Sequence, residues 1–189
     1  MKKWSIRIGL ILLILVSGII LFSPYGNQDK FPYKLIKQTI EIDAPVDTVF
    51  NYLGNSDNAS DWSVYVDHIS PLNAESYPDG VVGSTRRCFC EADETGTQWD
   101  ELITEVIPNK KRQLTIYNLK GFPIDLENLA TEQIYEKISD TKCSVTFTVF
   151  FKDVEPTLFD QFKIYLSGYR IKSIFKQNMA NIKKIVEEK

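Results

Sequence analysis

The chain has 189 residues, 43% of them apolar and 25% charged, and a net charge of −3. That length allows one domain with enough chain to bury a core, and the composition is that of an ordinary globular protein. Nothing in the charge favours a polyanionic partner such as nucleic acid; the largest basic groups, Lys110-Lys111-Arg112 and Lys183-Lys184, read as a turn and a solvated helix face.

The N-terminus reads MKKWSIRIGLILLILVSGIILFSPYG, with Lys2, Lys3 and Arg7 ahead of an uncharged run from Ile8 to Phe22. The run alone is short for a bilayer, which takes about 17–25 residues. Trp4 and Tyr25 extend the span by sitting at the two interfaces, and Arg7 does so by snorkelling. Residues 1–24 are therefore expected to be an uncleaved signal anchor, in contact with the membrane through residues 4–24. The flanking cations place the N-terminus in the cytoplasm and the rest of the chain on the far side. A signal peptide followed by secretion is the alternative, but no A-x-A-like cleavage site follows the run. Residues 25–34, with Gly26 and Pro32 and with Pro24 just ahead of them, make a short non-helical tether. The domain proper is expected over residues 35–189.

Alternation from Leu35 to Ile42 predicts a strand. Asp43 is the expected N-cap of the helix that follows, with Pro45 in its first turn. Val46, Val49, Phe50 and Leu53 recur at three and four and make its apolar face; Gly54 ends it. A second short helix is expected over Ser56–Trp62, capped by Ser56. Six strand signals follow: Tyr65–Leu72, Gly83–Ala92, Thr97–Ile107, Arg112–Leu119, Leu129–Ile138 and Lys142–Phe151. Short turns separate them, so neighbours should be antiparallel. In the last strand Cys143, Val145, Phe147, Val149 and Phe151 share one face. A long helical pattern then runs from about Glu155 to Glu187, with a bend or break expected near Gly168.

The order is strand, two helices, six strands, one long helix. A seven-stranded antiparallel sheet with one face to bury can be covered only by that last helix. The expected class is α+β: a curved sheet gripping the C-terminal helix, a cavity left between them, the two early helices closing the open side, and a transmembrane helix ahead of the whole.

Cys88, Cys90 and Cys143 are too few, with one histidine, to make a zinc site. They are expected to be buried thiols, a disulfide from Cys143 being the alternative. No metal or cofactor is implied. His68 offers acid–base chemistry near neutrality, but no nucleophile is spaced with it for a triad. Asp100 and Glu101 are adjacent on a strand and face opposite ways. Asn58-Ala59-Ser60 fits a glycosylation sequon, which matters only in a eukaryotic secretory setting.

Three stretches resemble the SRPBCC superfamily, the START-like or helix-grip domains. IEIDAPVDTVFNYLGNSDNASDW is similar to the family's entry strand, its A-P-x-x-V-F helix and the tryptophan after it. ELITEVIPNKKRQLTI resembles its strand, proline turn and next strand, and NIKKIVEEK the end of its final helix. The likeness runs from Leu35 to Lys189. Asp140-Thr141 departs from the usual Gly-Thr, and GFPIDLEN lengthens a hairpin. Members include polyketide cyclase/dehydrase-like proteins, pollen-allergen-like ligand binders and lipid-transfer domains. The likeness puts the Ile103 side of its strand inward, so that Trp99 and Glu101 approach the cavity and Glu105 a rim. Arg86, if inward, would pair with Glu101. Trp62, Trp99, Tyr117 and Tyr135 are the expected aromatic walls.

The resemblance thus implies a membrane-tethered domain that binds or transports a small hydrophobic or amphipathic molecule, lipid-like in character. The expected pocket residues are Trp62, Arg86, Trp99, Glu101, Tyr117 and Tyr135, and no catalytic residue is assigned. One alternative is a cyclase/dehydrase-like enzyme using Glu101, Arg86 or His68. Another is an interaction module whose cavity its own side chains fill.

Overall fold

A computed structural model describes residues 2–22, 34–122, 129–152 and 157–188. The expected tether and the start of the last helix at Glu155 lie largely outside them. Helix α1 is Lys2–Phe22, 21 residues. At 1.5 Å per residue it spans about 32 Å, close to the roughly 30 Å of a bilayer's hydrocarbon core. It is long and apolar enough to cross a membrane, and none of its apolar stretch is buried against the rest of the chain.

Strand β1 is Lys34–Ile42, and helix α2 is Val46–Gly54. The N-cap of α2 is Pro45, not Asp43, and no side chain caps it. Asp43 instead donates its backbone N–H to Glu187 Oε1 at 2.7 Å. After α2 come a 3₁₀ turn over Ser56–Asn58 and helix α3, Ala59–Trp62. The side chain of Asn55 caps that turn by accepting from the Asp57 N–H. Ser56 was the expected cap, but its backbone N–H and its hydroxyl both donate to Asp79, at 2.9 and 2.7 Å. Asp79 is held in place by Gly80, which has φ +79° and lies so close to the Gly54 carbonyl that an added Cβ would meet it at 2.9 Å. Only glycine adopts that conformation in that space.

The remaining strands are β2 (His68–Pro71), β3 (Thr85–Phe89), β4 (Gln98–Ile107), β5 (Lys111–Lys120), β6 (Leu129–Ser139) and β7 (Lys142–Phe151). All pair antiparallel in one seven-stranded sheet, in the order β1-β7-β6-β5-β4-β3-β2. Strand β2 is shorter than its sequence signal, because Tyr65 and Val66 leave the ladder.

Two bulges decide which side chains face inward. Ile103 pairs with Leu114 and Glu105 with Gln113, so Thr104 is an extra residue. The bulge re-phases the strand. Val106, not Glu105, then packs on the core, and Glu105 binds Lys111 at 2.7 Å. The expected place of Glu105 at the cavity rim is thereby corrected. On β5, Asn118 has φ +51° and lies within an irregular stretch of the β4–β5 ladder. Asparagine tolerates this left-handed conformation better than most residues.

Helix α4, Leu158–Glu187, is continuous, with a Thr157–Asp160 capping box at its start. Of the bend or break expected near Gly168, no break occurs. One glycine costs a helix about 1 kcal/mol against alanine, which 30 residues packed on a sheet can absorb. The helix crosses the concave face nearest β1 and β7. Met179, Ile182 and Val186 pack with Ile42, Val145 and Phe147 at one end, and Ile164 packs with Ile36, Val149 and Phe151 at the other. Between these two cores the helix and the sheet stand apart.

Candidate functional site: an apolar cavity under the C-terminal helix

The gap is a cavity of about 580 Å³, within the 300–1,000 Å³ of small-molecule sites. Its floor is built by strand alternation. Leu114 and Ile116 on β5, Leu129, Thr131 and Gln133 on β6, and Phe147 and Val149 on β7 all point into it. Leu166, Arg170, Ile174 and Asn178, spaced four apart on α4, form the roof with Ile171 and Phe175. The end of α2, the 3₁₀ turn and α3 close one side through Leu53, Ser56, Ala59 and Trp62. Two hydrogen bonds clamp this side to the roof: Val64 N–H to Asn178 Oδ1 at 2.8 Å, and Asn178's neighbour on the next turn, Asn181, to the Trp62 carbonyl at 3.1 Å. The side chains of the described residues leave the cavity open, against the alternative of a filled one.

A charged pair interrupts the apolar wall. Arg86 on β3 lies directly across the ladder from Glu101 on β4. Its Nε donates to Glu101 Oε2 at 2.8 Å, and the Trp99 indole N–H donates to Glu101 Oε1 at 3.0 Å. Arg86 also donates to Ser56 Oγ at 2.9 Å, with Asp79 4.0 Å away. Burial opposes the Arg86 charge, but the Glu101 carboxylate outweighs it and holds the guanidinium pKa above its ordinary value. The two side chains form a nearly dry ion pair, 10% and 11% exposed. Cys88 stands beside it on the cavity wall as a free thiol. Burial, then the Glu101 charge, raises its pKa well above the usual thiol range. Cys90 is pushed up to about 11, chiefly by burial. Neither has thiolate character near neutrality, and Cys143 is also free.

Behind the wall lies a second buried cation. Arg112 donates to Gln133 Oε1 at 3.0 Å and to the Tyr135 hydroxyl at 3.3 Å, with its guanidinium 4.6 Å from the centroid of the Phe50 ring. Burial lowers its pKa.

Of the residues expected at the pocket, the structure places Trp62, Arg86, Trp99 and Glu101 on the lining. Tyr117 lies elsewhere. It pairs with Asp100, on the face where Arg87 binds Asp100 at 2.7 Å, away from the cavity. Tyr135 shares the inward face but is roofed by α2; its ring meets Phe50 edge-on at 5.0 Å and its hydroxyl donates to Gln133 at 2.6 Å. Burial raises its pKa steeply. Tyr65 and Phe122, which the sequence reading missed, complete the mouth: with Trp99 they form an aromatic triangle with centroids 5.9–6.3 Å apart. Leu166 and Arg170 face it from α4. The i, i+4 spacing of Leu166 and Arg170 was the available signal; Tyr65 gave none, since it lies outside the ladder.

His68 is not in the cavity. It pairs with Phe89 while Ile69 and Cys88, one step on, point inward. Its ring stacks on Phe89 and lies 2.8 Å from Asp67 and 3.4 Å from Glu94. The Asp67 hydrogen bond chiefly, and Glu94 after a smaller opposing effect of burial, raise its pKa. A raised folded pKa adds stability below the unfolded histidine pKa, and that stability disappears as pH rises through the folded value. At this exposed site the effect on stability is small. A ring-resonance NMR titration of the single histidine should give a midpoint above 6.5, and Asp67→Asn should lower it. Among the described residues no group of three or more potential ligands could hold a metal ion.

Residues 35–187 match the family model for polyketide cyclase/dehydrase and lipid transport proteins. A search of curated protein sequences gives no significant match. Many solved structures share the fold. A Thermobifida fusca protein superposes with a TM-score of 0.62 at 15% identity, over 81% of this chain and 93% of its own. The Aha1 dimer of Colwellia psychrerythraea gives 0.57 at 22% identity, over 80% and 95%. The di-domain ARO/CYC BexL of the BE-7585A biosynthetic pathway gives 0.59 at 13% identity, over 80% of this chain and 45% of its own. At these identities the likeness is one of fold.

Proposed function

The chain belongs to the polyketide cyclase/dehydrase and lipid transport family, and from that premise we propose that its domain binds one small apolar or amphipathic molecule, lipid-like in character, beside a membrane in which α1 is anchored. The observation that carries this reading is the open cavity of about 580 Å³ with a largely aliphatic and aromatic wall. Burying an apolar guest there removes both its surface and the wall's from water, at about 25 cal/mol per Å². Trp62, Trp99, Arg86 and Glu101 are the proposed contacts, the aromatics for the apolar body and the charged pair for a hydroxyl or carbonyl.

In this reading residues 1–24 are the anchor, 25–34 the tether and 35–189 the binding domain. Lys2, Lys3 and Arg7 keep the N-terminus cytoplasmic and put the domain on the opposite side. The short tether keeps the cavity near the bilayer and raises the local concentration of any molecule partitioned there. The exposed Leu158 and Phe159 at the start of α4 support an approach to that surface.

A cyclase/dehydrase-like reaction is the second reading, and it has one observation in its favour: Arg86 and Glu101 face the cavity together. Acid–base work would require Glu101 to release both Arg86 and the Trp99 indole.

The test is native mass spectrometry of the full chain released from mild detergent, with extraction of whatever co-purifies. The expected spectrum shows the intact chain, anchor retained, with one small apolar or amphipathic molecule bound. A chain that carries nothing and takes up no added fatty acid or sterol would overturn the proposal.

A further inference from the structure

We propose that the cavity's guest is an anionic amphiphile, an acid whose apolar body fills the cavity and whose head is held at the mouth by Arg170. The inference rests on the ligand-binding reading above and deepens it. The two cations that the cavity presents differ in kind. Arg86 is spent: Glu101 neutralises it across the ladder at 2.8 Å. Arg170 also lines the cavity, yet it is exposed, so its guanidinium stands where the interior opens to solvent. Among the described residues no carboxylate lies within ion-pairing distance of it.

The surroundings of Arg170 are those of a headgroup site. Ile171 and Ile174, on the same helix, continue the apolar roof inward. Across the opening stands the Tyr65, Trp99 and Phe122 triangle. Arg170 is near enough to Tyr65 to act on its hydroxyl, lowering a pKa that burial raises. Trp99 connects mouth and interior, its ring stacked with Tyr65 and its indole N–H on Glu101.

A guest with an apolar tail and an acidic head matches this order of groups. A cationic head would meet Arg170 unfavourably. A neutral head would leave the Arg170 guanidinium without an ion-pair partner among the described residues. Arginine offers carboxylates and phosphates a two-pronged contact. The commonest small amphiphile with such a head is a long-chain carboxylic acid, and the same chemistry covers a lipid phosphate monoester.

The experiment uses the full chain as Trp4→Phe in phosphatidylcholine nanodiscs, so that the tryptophans left are Trp62 and Trp99 on the cavity and any quenching reports on it. It is titrated with 16-doxylstearic acid and with its methyl ester, and empty nanodiscs correct for partitioning. A charge-assisted contact at this exposure should make the acid bind about tenfold tighter than the ester. Arg170→Gln should bring the acid to the ester's affinity and leave the ester unchanged, and Arg170→Lys should retain part of the preference. Equal binding of acid and ester by the parent chain, or a preference that survives Arg170→Gln, overturns the inference while the cavity reading stands. Quenching by neither probe overturns the cavity reading, and this inference with it. Dodecyl phosphate as competitor separates the two sources of the head: displacement of the acid at equal or lower concentration assigns the site to phosphate monoesters, and failure to displace assigns it to carboxylates.

Discussion

Glu101→Ala should destabilise the domain by about 3–5 kcal/mol, the usual cost of leaving one member of a buried ion pair without its partner. The geometry says why. Glu101 takes the Nε–H of Arg86 and the indole N–H of Trp99. Without it, the guanidinium keeps only the Ser56 hydroxyl and an aspartate 4.0 Å away. The double replacement Arg86→Met with Glu101→Leu should recover most of the loss or exceed the parent stability, because two desolvation costs vanish together. Urea midpoints of the three chains, followed by circular dichroism, measure this. If Glu101→Ala proves as stable as the parent, the pair is not the dry, closed unit described here. The double variant also informs on function. If the charged pair orients the guest through a hydroxyl or carbonyl, affinity for a purely aliphatic guest persists while affinity for an oxygenated one falls.

Phe147→Ala should cost about 3–5 kcal/mol, as deletions of large buried aromatics do. Phe147 is the partition between the core and the cavity. It is 4% exposed, meets Trp62 edge-on at 6.2 Å and Phe175 at 5.7 Å, and contributes to the cavity lining. Its removal opens the cavity toward Met179 and Ile182, which pack in the same cluster. A larger guest should then bind, and binding restores stability by RT ln(1 + [L]/Kd). Thermal melts with and without a saturating fatty acid should therefore show a larger ligand-induced rise for the variant than for the parent chain. A variant that is destabilised and gains nothing from the guest would mean that Phe147 supports the core alone.

The architecture was legible because its signals are local. The 3–4 spacing of Val46, Val49, Phe50 and Leu53 and the alternation of β7 each name a buried face without reference to the rest of the chain. The order of elements then left α4 as the one cover for the sheet. The site was less legible. Trp62, Trp99, Arg86 and Glu101 follow from strand phase and family likeness, whereas Tyr117 and Glu105 depend on irregular stretches of β4 and β5, and a bulge moves later residues to the other face. Nothing in the sequence around Thr104 marks the first. Tyr135 has the right phase, yet α2 covers it, and which helix covers which part of a sheet is a tertiary fact. The caps failed for a related reason. Ser56 is drawn to Asp79, 23 residues away, and a distant acceptor of that kind overrides a local preference.

The central claim is a hollow that admits an apolar guest between the sheet and α4. Nuclear Overhauser contacts from uniformly 13C-labelled palmitate to a methyl-protonated full chain test it most directly. The account expects contacts from the palmitate methylenes to the methyl groups of Leu114, Ile116, Leu129 and Ile171. Contacts confined to α1 or to the exposed Leu158, with none to those four side chains, would contradict it.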